Sequence, residues 1–178
     1  MTETNQIENA HKFVAHEGEL GLAGKYITFK LAGEEYAFEI LKVREIIGIM
    51  DVTRVPQSDP AIRGVINLRG KVNPVVDLRL KFEMSETVPT DQTVIVIVQL
   101  HSQKQVYTMG VLVDEVQEVL NVDAKNIEPR PNLGDFSNSN LEYIMGVAKV
   151  GKRVIFLLDI DKIFNTDEIA MADDAQVN

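Results

Sequence analysis

The sequence predicts an all-β protein with a short helix near its C-terminus. Short segments rich in Val and Ile recur along the chain, and Gly, Asn, Asp or charged residues separate them. No long stretch between these segments repeats its apolar residues every 3.6 positions, as an amphipathic helix would. Two parts of the sequence also resemble each other, which indicates a duplicated β unit. Frequent short strands at hairpin spacing are typical of sandwiches and small barrels.

The elements begin after residues 1–24, a polar segment with several glycines that we interpret as a mobile arm. From Lys25 onward, apolar and polar residues alternate, which marks a half-buried strand. A turn at 32–35 then leads to a second strand at 36–40. The density of Val and Ile predicts eight further strands, at 43–49, 64–68, 72–78, 93–100, 106–113, 116–120, 145–150 and 154–160.

The last segment, 165–178, has the pattern of a helix start. Asn165 occupies an N-cap position, and Glu168 follows three residues later in the spacing of a capping box. We therefore predict a C-terminal helix or tail that packs on the first subdomain.

An internal repeat predicts how the strands are grouped. Residues 62–82 match residues 144–164 at a constant offset of about 82 positions. The two segments share identical residues at Ile62/Ile144, Gly64/Gly146, Val65/Val147, Asp77/Asp159 and Phe82/Phe164. Chance similarity between Val- and Ile-rich strands is the alternative explanation. Duplication predicts two packed barrels with a groove between them, the first at approximately 25–72 and the second at 73–164.

The composition is that of a globular protein with an acidic surface. The 178 residues are 45% hydrophobic and 25% charged, and cysteine is absent. The lack of cysteine excludes disulfides, thiolate nucleophiles and cysteine-based metal sites. A net charge of −9 without a segregated basic patch opposes binding to a phosphate backbone. We expect no nucleic-acid partner.

The sequence also predicts no membrane insertion. The densest apolar runs, 94–98 and 154–158, are much shorter than the roughly 20 residues that a spanning helix needs. The first five residues lack the basic start and apolar stretch of a signal peptide. We therefore expect a cytoplasmic location.

Motifs for catalysis, metals and cofactors are missing from the sequence. His11 and His16 lie in the predicted arm and His101 in a hairpin turn, so we expect no rigid metal site. No phosphate-binding loop or nucleophile elbow occurs, and no cofactor is expected. Asp159 and Asp161 lie on one side of a predicted strand and leave a small carbohydrate-active protein as an alternative. With 27 acidic residues, a solvated acidic face is the simpler interpretation.

Two opposite charges interrupt otherwise apolar strands. Glu45 lies within 43–49, and Arg69 follows 64–68 at a predicted hairpin. The two side chains either pair across the sheet or lie apart, with Arg69 in a solvated turn. A partly buried pair would constrain a surface more than it would stabilise the fold. In the second copy Glu118 replaces Glu45 but Gly151 replaces Arg69, so we expect that the pair need not be repeated.

Several of these segments together resemble the CheW family, the chemotaxis coupling proteins. The matching segments are GEEYAFEILKVREI at 33–46, VTRVP at 52–56, IRGVINLRG at 62–70, PVVDLR at 74–79 and GVLVDEV at 110–116. The resemblance covers about 25–164. It implies two five-stranded SH3-like barrels packed side by side. Because so few residues follow Phe164, we expect a standalone coupler.

The resemblance implies a non-enzymatic adaptor. Family members join methyl-accepting chemoreceptors to the histidine kinase CheA, whose regulatory domain has the same double barrel. The implied partners are therefore that regulatory domain and the cytoplasmic receptor tips, and the implied location is the inner face of the membrane, reached through receptor arrays. A coupler for a parallel kinase cluster with a non-flagellar output is an alternative that the sequence does not separate.

The resemblance also implies the positions of two binding surfaces. The aliphatic residues of both sets are equally suited to the protein core. We therefore expect each of them either on its binding surface or directly beneath it. The implied receptor-binding residues are Ile40, Glu45, Arg69, Val94, Met109 and Val119. The implied kinase-binding residues are Val43, Val52 and Gly64.

Overall fold

A computed structural model describes residues 21–129, 141–164 and 168–172. Most of the predicted arm, including His11 and His16, lies outside the described residues, and so does the proposed cap Asn165. The described chain consists mainly of β-strands, which confirms the predicted fold class.

In the described ranges the chain forms eleven strands, two four-residue helices and a helical segment at 168–172. The elements are β1 (Gly24–Leu31), β2 (Glu34–Glu39), β3 (Val43–Gly48), β4 (Ile62–Leu68), β5 (Lys71–Asp77), α1 (Leu78–Lys81), β6 (Val94–Ser102), β7 (Gln105–Val113), β8 (Glu115–Val122), β9 (Ile127–Pro129), β10 (Ile144–Val150), β11 (Arg153–Leu158) and α2 (Ile160–Ile163). All the predicted strands occur, with small shifts at their ends. The short elements β9, α1 and α2 were not predicted.

The strands form two sheets. The order is β8-β1-β2-β11-β10-β9 in the six-stranded sheet and β3-β6-β7-β5-β4 in the five-stranded sheet. Neighbours are antiparallel except for β2 with β11 and β5 with β7, which run parallel. The five-stranded sheet has the predicted number of strands, whereas β9 adds a sixth strand to the other.

The repeat predicted from the sequence is present in the backbone. The first copy contains β4, β5 and α1, and the second contains β10, β11 and α2 at the same offset. Both hairpins have a register shift at equivalent places, between Ile62 and Gly64 and between Ile144 and Gly146. Duplication therefore explains the similarity better than chance does.

The two sheets do not correspond to the two sequence copies. The six-stranded sheet combines β1 and β2 of the first copy with β8, β10 and β11 of the second. The five-stranded sheet combines β6 and β7 of the second copy with β3, β4 and β5 of the first. The copies have thus exchanged their first hairpins, through the parallel pairings β2–β11 and β5–β7. The predicted boundary between 72 and 73 is therefore corrected, because it falls inside β5 and divides one sheet.

The exchange produces three apolar clusters. The largest, here called the shared core, collects side chains from both sheets, including Phe29, Phe38, Val98, Met109 and Leu158. Each sheet also has an inner cluster. That of the six-stranded sheet contains Tyr26, Ala37, Val122, Ala148, Ile155 and Leu157. That of the five-stranded sheet contains Ile66, Val75, Ile95 and Ile97, with Ile47, Met50, Val52, Leu68 and Leu112 packed against it.

The helical segment at 168–172 packs on the shared core. Ala172 is fully buried there, and Ile169 and Met171 are partly buried against it. Lys81 of α1 donates to both carboxylate oxygens of the buried Glu168 at 3.0 Å. The segment therefore attaches where the two sheets meet, and not to a separate first subdomain.

Candidate binding surfaces

The Glu45 and Arg69 side chains form an ion pair. Arg69 Nη1 donates to Glu45 Oε1 at 2.8 Å, and Nη2 donates to Oε2. Arg69 occupies the tight turn between β4 and β5 with φ +51°, followed by Gly70 with φ +82°. Because β3 and β4 are the two edges of the five-stranded sheet, this pair links one edge to the other. The alternative in which the two charges lie apart is wrong.

Burial of this pair is asymmetric. The Glu45 side chain is 15% exposed, whereas the Arg69 side chain is 71% exposed. The two hydrogen bonds and the charge of Glu45 raise the pKa of Arg69, so its guanidinium stays charged. The carboxylate is thus largely covered, and the guanidinium remains available to solvent or to a partner.

A groove of about 350 Å³, here called the charged groove, lies around this pair. Its lining residues are Arg44, Glu45, Leu68, Arg69, Lys71, Asn73, Ile97 and Thr108. Three of them are cationic and one is acidic, which contrasts with the net charge of −9 of the whole chain. The groove therefore suits a partner with acidic or polar groups.

A second groove, of about 570 Å³, is mainly apolar and is here called the apolar groove. Its lining residues are Ile49, Val52, Arg54, Arg63, Val75, Glu86, Thr87, Val88, Pro89, Ile95 and Leu112. Val75, Ile95, Val52 and Leu112 also belong to, or pack against, the inner cluster of the five-stranded sheet. Since Ile97 of that cluster lines the charged groove, both grooves are built on one cluster.

Gly64 holds the segment that contains Val52 in place. The backbone of Thr53 pairs with that of Val65 through two hydrogen bonds of 2.9 and 2.8 Å. Gly64 has φ +141°, and a Cβ atom on it would lie 2.1 Å from the Thr53 carbonyl oxygen. Only glycine permits this close approach, so Gly64 supports the apolar groove without offering a side chain to it.

The other predicted contact residues lie deeper. Ile40, Val43 and Met109 are fully buried in the shared core. Val94 and Val119 are partly buried at the edge of that core. The structure therefore brings Glu45 together with Arg69 and Val52 together with Gly64, and none of the remaining five residues lines either groove. A charge at Val43 would disturb the core, so it would not test a contact.

A second charged site was missed in the sequence. Arg153 Nη1 donates to Glu118 at 2.6 Å, and its Nη2 donates to Glu35 at 3.0 Å. The hydrogen bonds that Arg153 donates to Glu35 and Glu118 raise the pKa of Arg153. The pair is not repeated at the strictly equivalent position, which is Gly151, and Arg153 two positions later provides the cation for Glu118. The signal in the sequence is Arg153 itself, which lies only two positions after Gly151.

The two candidate catalytic carboxylates have internal partners. Asp159 is the N-cap of α2 and accepts from the Asp161 backbone N–H at 3.1 Å. Asp161 accepts from Lys42 Nζ and from the His101 backbone N–H, each at 2.8 Å. Their predicted placement along a strand is wrong, because β11 ends at Leu158. Both carboxylates therefore have structural partners.

Nearby, Glu39 carries a carboxyl group that is unfavourably placed for ionisation. Burial raises its pKa above the ordinary value of 4.5, Lys42 lowers it, and Asp159 and Asp161 raise it further. Because the pKa of Glu39 is raised in the folded state, the protonated carboxyl group contributes stability below pH 4.5. This contribution is lost as the pH rises through the pKa of the folded state.

Glu39→Gln should therefore flatten the fall in stability above pH 4.5 and stabilise the protein at pH 7. Urea unfolding at several pH values between these limits measures the effect. Glu34→Gln, at an exposed position of the same strand, is the control. Identical pH profiles for Glu39→Gln and the parent protein would contradict this assignment.

Within the described ranges, no group of three or more His, Cys, Asp or Glu residues is arranged to hold a metal ion. None of the helices described there is long and apolar enough to cross a membrane.

The two sheets share a core, and the five-stranded sheet presents an apolar and a charged groove over one cluster. A family model for the CheW-like domain matches residues 25–168. Chemotaxis protein CheW of Klebsiella aerogenes is 38% identical over 149 residues, which cover 84% of this chain and 86% of that protein. Chemotaxis protein CheW of Rhizobium meliloti is 34% identical over 161 residues, covering 90% and 96%.

A solved structure agrees with these relatives. The scaffolding protein TtCheW from Thermoanaerobacter tengcongensis matches with a TM-score of 0.71 and 30% identity, over 83% of this chain and 96% of that one. The chain therefore belongs to the CheW-like domain family. Its predicted resemblance to chemotaxis coupling proteins is confirmed at the level of the family.

Proposed function

We propose that this protein is a non-enzymatic adaptor that couples transmembrane chemoreceptors to the histidine kinase CheA. The observation that carries the proposal is the presence of two chemically different grooves on one five-stranded sheet. An adaptor needs to bind two partners at once, and two grooves over one cluster offer separate positions for them. Similarity to proteins named for chemotaxis, and to one described as a scaffolding protein, supports this function.

The apolar groove is the proposed docking surface for the kinase regulatory domain. Val52 and the adjacent segment form part of its wall, and Gly64 supports that segment. An apolar groove gains affinity by removing a partner's apolar side chains from water. Val43 belongs to the shared core and does not line this groove.

The charged groove is the proposed surface for receptor tips. Arg44, Arg69 and Lys71 line it and suit the acidic or polar face of a receptor helix. Ile40 and Met109 lie in the shared core and Val94 and Val119 lie at its edge, so none of these four residues lines the charged groove. The protein would act in the cytoplasm, held at the inner face of the membrane by the receptors that it binds.

A binding assay with both partners tests the proposal. The CheA regulatory domain and a receptor cytoplasmic fragment are immobilised separately and titrated with the full chain. Val52→Asp should weaken kinase binding by at least about 1.5 kcal/mol, because the new charge loses its water without gaining a partner. Receptor binding and circular dichroism should remain near those of the parent protein. Val106→Asp, at an exposed valine outside both grooves, is the matched control. Failure of the parent chain to bind either partner would overturn the proposed function.

The ion pair gives a sharper test of the receptor surface. Arg69→Ala leaves the covered Glu45 carboxylate without its partner, whereas Glu45→Ala leaves an exposed guanidinium that water can solvate. Arg69→Ala should therefore reduce receptor affinity more than Glu45→Ala does. The double variant should be no worse than Arg69→Ala alone.

The exposed pair Lys149–Glu128 is the control for this cycle, because both of its side chains are 56% exposed. Its two alanine variants should be nearly silent and additive. The same additivity at Glu45 and Arg69 would remove these residues from the binding surface.

A further inference from the structure

The exchange of hairpins requires the chain to cross between the sheets at two places. The first crossing is the 3-10 turn Ile40–Lys42, between β2 and β3. The second is the single residue Asp114, between β7 and β8. Each crossing carries a charged residue that pairs with one of the short helices, α2 or α1. We call these contacts the junction pairs.

The first junction pair joins Lys42 to α2. Lys42 Nζ lies 2.8 Å from Asp161 Oδ2, and the other oxygen of Asp161 accepts from the backbone N–H of His101 at 2.8 Å. The two charged side chains are 23% and 27% exposed, so solvent screens them only in part. This pair ties the end of the six-stranded sheet to β6 of the other sheet.

The second junction pair joins Asp114 to α1. Arg79 Nε and Nη2 each donate to the Asp114 carboxylate at 2.7 Å. The same carboxylate accepts from the backbone N–H of Ala32, in the turn between β1 and β2, at 2.8 Å. These contacts repeat those of the first junction, since Arg79 and Asp161 are equivalent at the offset of about 82 positions.

The two junction pairs have opposite polarity. At one, the helix supplies the cation and the crossing supplies the anion; at the other, the helix supplies the anion. In the alternative arrangement, each copy would keep its own first hairpin. Strand β5 would then lie beside β2, and α1 would contact the crossing segment that carries Lys42. Arg79 would then face Lys42, and Asp161 would face Asp114. Both contacts would join like charges.

We propose that the opposite polarity of the junction pairs selects the hairpin-exchanged arrangement over the one in which each copy folds on itself. The backbones of the copies are similar enough for either arrangement to pair the same types of strand, so strand pairing alone discriminates poorly. Like charges brought together in a partly buried site are strongly unfavourable. The proposal concerns how the fold is specified and does not depend on the proposed function.

Engineered cysteine pairs report which arrangement forms, because the full chain contains no cysteine. Glu35 lies opposite Ile155 in the parallel pairing of β2 and β11, so the preceding residues, Glu34 and Val154, are neighbours in the exchanged arrangement. Val72 is the equivalent of Val154 and would be the neighbour of Glu34 in a self-folded copy. All three residues are exposed. Glu34→Cys is therefore combined with either Val154→Cys or Val72→Cys.

Each reporter chain is refolded from urea, oxidised mildly, and separated by size so that only monomers are analysed for the disulfide. The parent background should give the 34–154 disulfide and only background amounts of 34–72. Lys42→Asp with Asp161→Lys keeps an attractive pair in the exchanged arrangement but makes the self-folded contacts attractive as well. This variant should raise the 34–72 disulfide at least about tenfold.

Reversal of all four charges provides the control. Lys42→Asp, Asp161→Lys, Arg79→Asp and Asp114→Lys together restore opposite polarity, so the 34–72 disulfide should return to background. The four-residue variant lacks both Asp161 and Asp114, whose carboxylates accept from the backbone N–H groups of His101 and Ala32. It is therefore more perturbed than the two-residue variant. If destabilisation alone produced the 34–72 disulfide, the four-residue variant would show more of it, and the proposal would be overturned. An unchanged background level in the two-residue variant would overturn it equally.

Discussion

Gly64→Ala should reduce binding of the CheA regulatory domain at least about tenfold while both sheets remain folded. The added Cβ would lie 2.1 Å from the Thr53 carbonyl oxygen, so the segment carrying Val52 has to move away from β4. The two hydrogen bonds between Thr53 and Val65 would break, and the apolar groove would lose part of its wall. The positive φ of Gly64 adds strain of about 1–3 kcal/mol for alanine.

Titration calorimetry with the regulatory domain measures the affinity, and urea unfolding measures the stability. Gly48→Ala is the matched control, since Gly48 is a strand glycine whose added Cβ would meet nothing within 4 Å. Receptor binding through the charged groove should change little in either variant. Normal kinase binding by a folded Gly64→Ala protein would mean that the segment around Val52 is not part of the kinase surface.

Asp77→Ala should lower the free energy of unfolding by about 3 kcal/mol or more. Asp77 is 3% exposed, and its carboxylate accepts from Arg63 at 2.8 Å and from the backbone N–H of Arg79 at 3.0 Å. Alanine would leave the first N–H groups of α1 without their cap and would remove one of the two acidic partners of Arg63, the other being Glu86.

The repeat supplies the control for this experiment. Asp159 caps α2 in the same way but is less buried, and the contact described for its carboxylate is the one with the Asp161 N–H. Asp159→Ala should therefore cost only about 1 kcal/mol, the usual value of a helix cap. Urea unfolding of both variants gives the comparison. Equal losses would show that burial and the ion pair with Arg63 contribute little at Asp77.

Local features of this fold could be predicted from the sequence, and the pairing of distant strands could not. Alternation and turn residues located the strands, because those signals act within a few residues. The helices α1 and α2 were not predicted, although their N-cap residues Asp77 and Asp159 match each other in the repeat. Each helix has only four residues, too few to show helical periodicity. The capping residues Asp77 and Asp159 were the sequence signal from which these helices could have been predicted.

Which strands pair with each other in the two sheets could not be predicted from the sequence. Each strand is rich in Val and Ile, so the apolar pattern makes almost any neighbour acceptable. Similarity between the copies then suggested that each copy forms its own barrel. The pairing of β2 with β11 joins Glu35 to Ile155, and nothing in the local sequence specifies that contact.

Some residues of the candidate site could be predicted from the sequence, and others could not. The pairing of Glu45 with Arg69 was one of two arrangements that the sequence left open, because charges within apolar strands are unusual and need a partner but a turn also offers Arg69 solvent. Whether Val43 and Met109 are exposed or buried was left open, since strands covered on both faces lose the alternation that separates surface from core. Arg153 was missed because it lies two positions after Gly151, the residue that matches Arg69 in the repeat.

The interleaved sheets also affect how the newly made polypeptide folds during translation. The five-stranded sheet uses only strands between residues 43 and 113, so its strands are synthesised consecutively. The hairpin of β1 and β2 is made earlier but pairs with β8 and β11, the latter ending at Leu158. At 5–20 residues per second, that hairpin waits on the order of ten seconds for its last neighbour. During this interval Phe29 and Phe38 have each other but not the shared core around them, so the nascent hairpin exposes apolar surface and unpaired strand edges that favour aggregation.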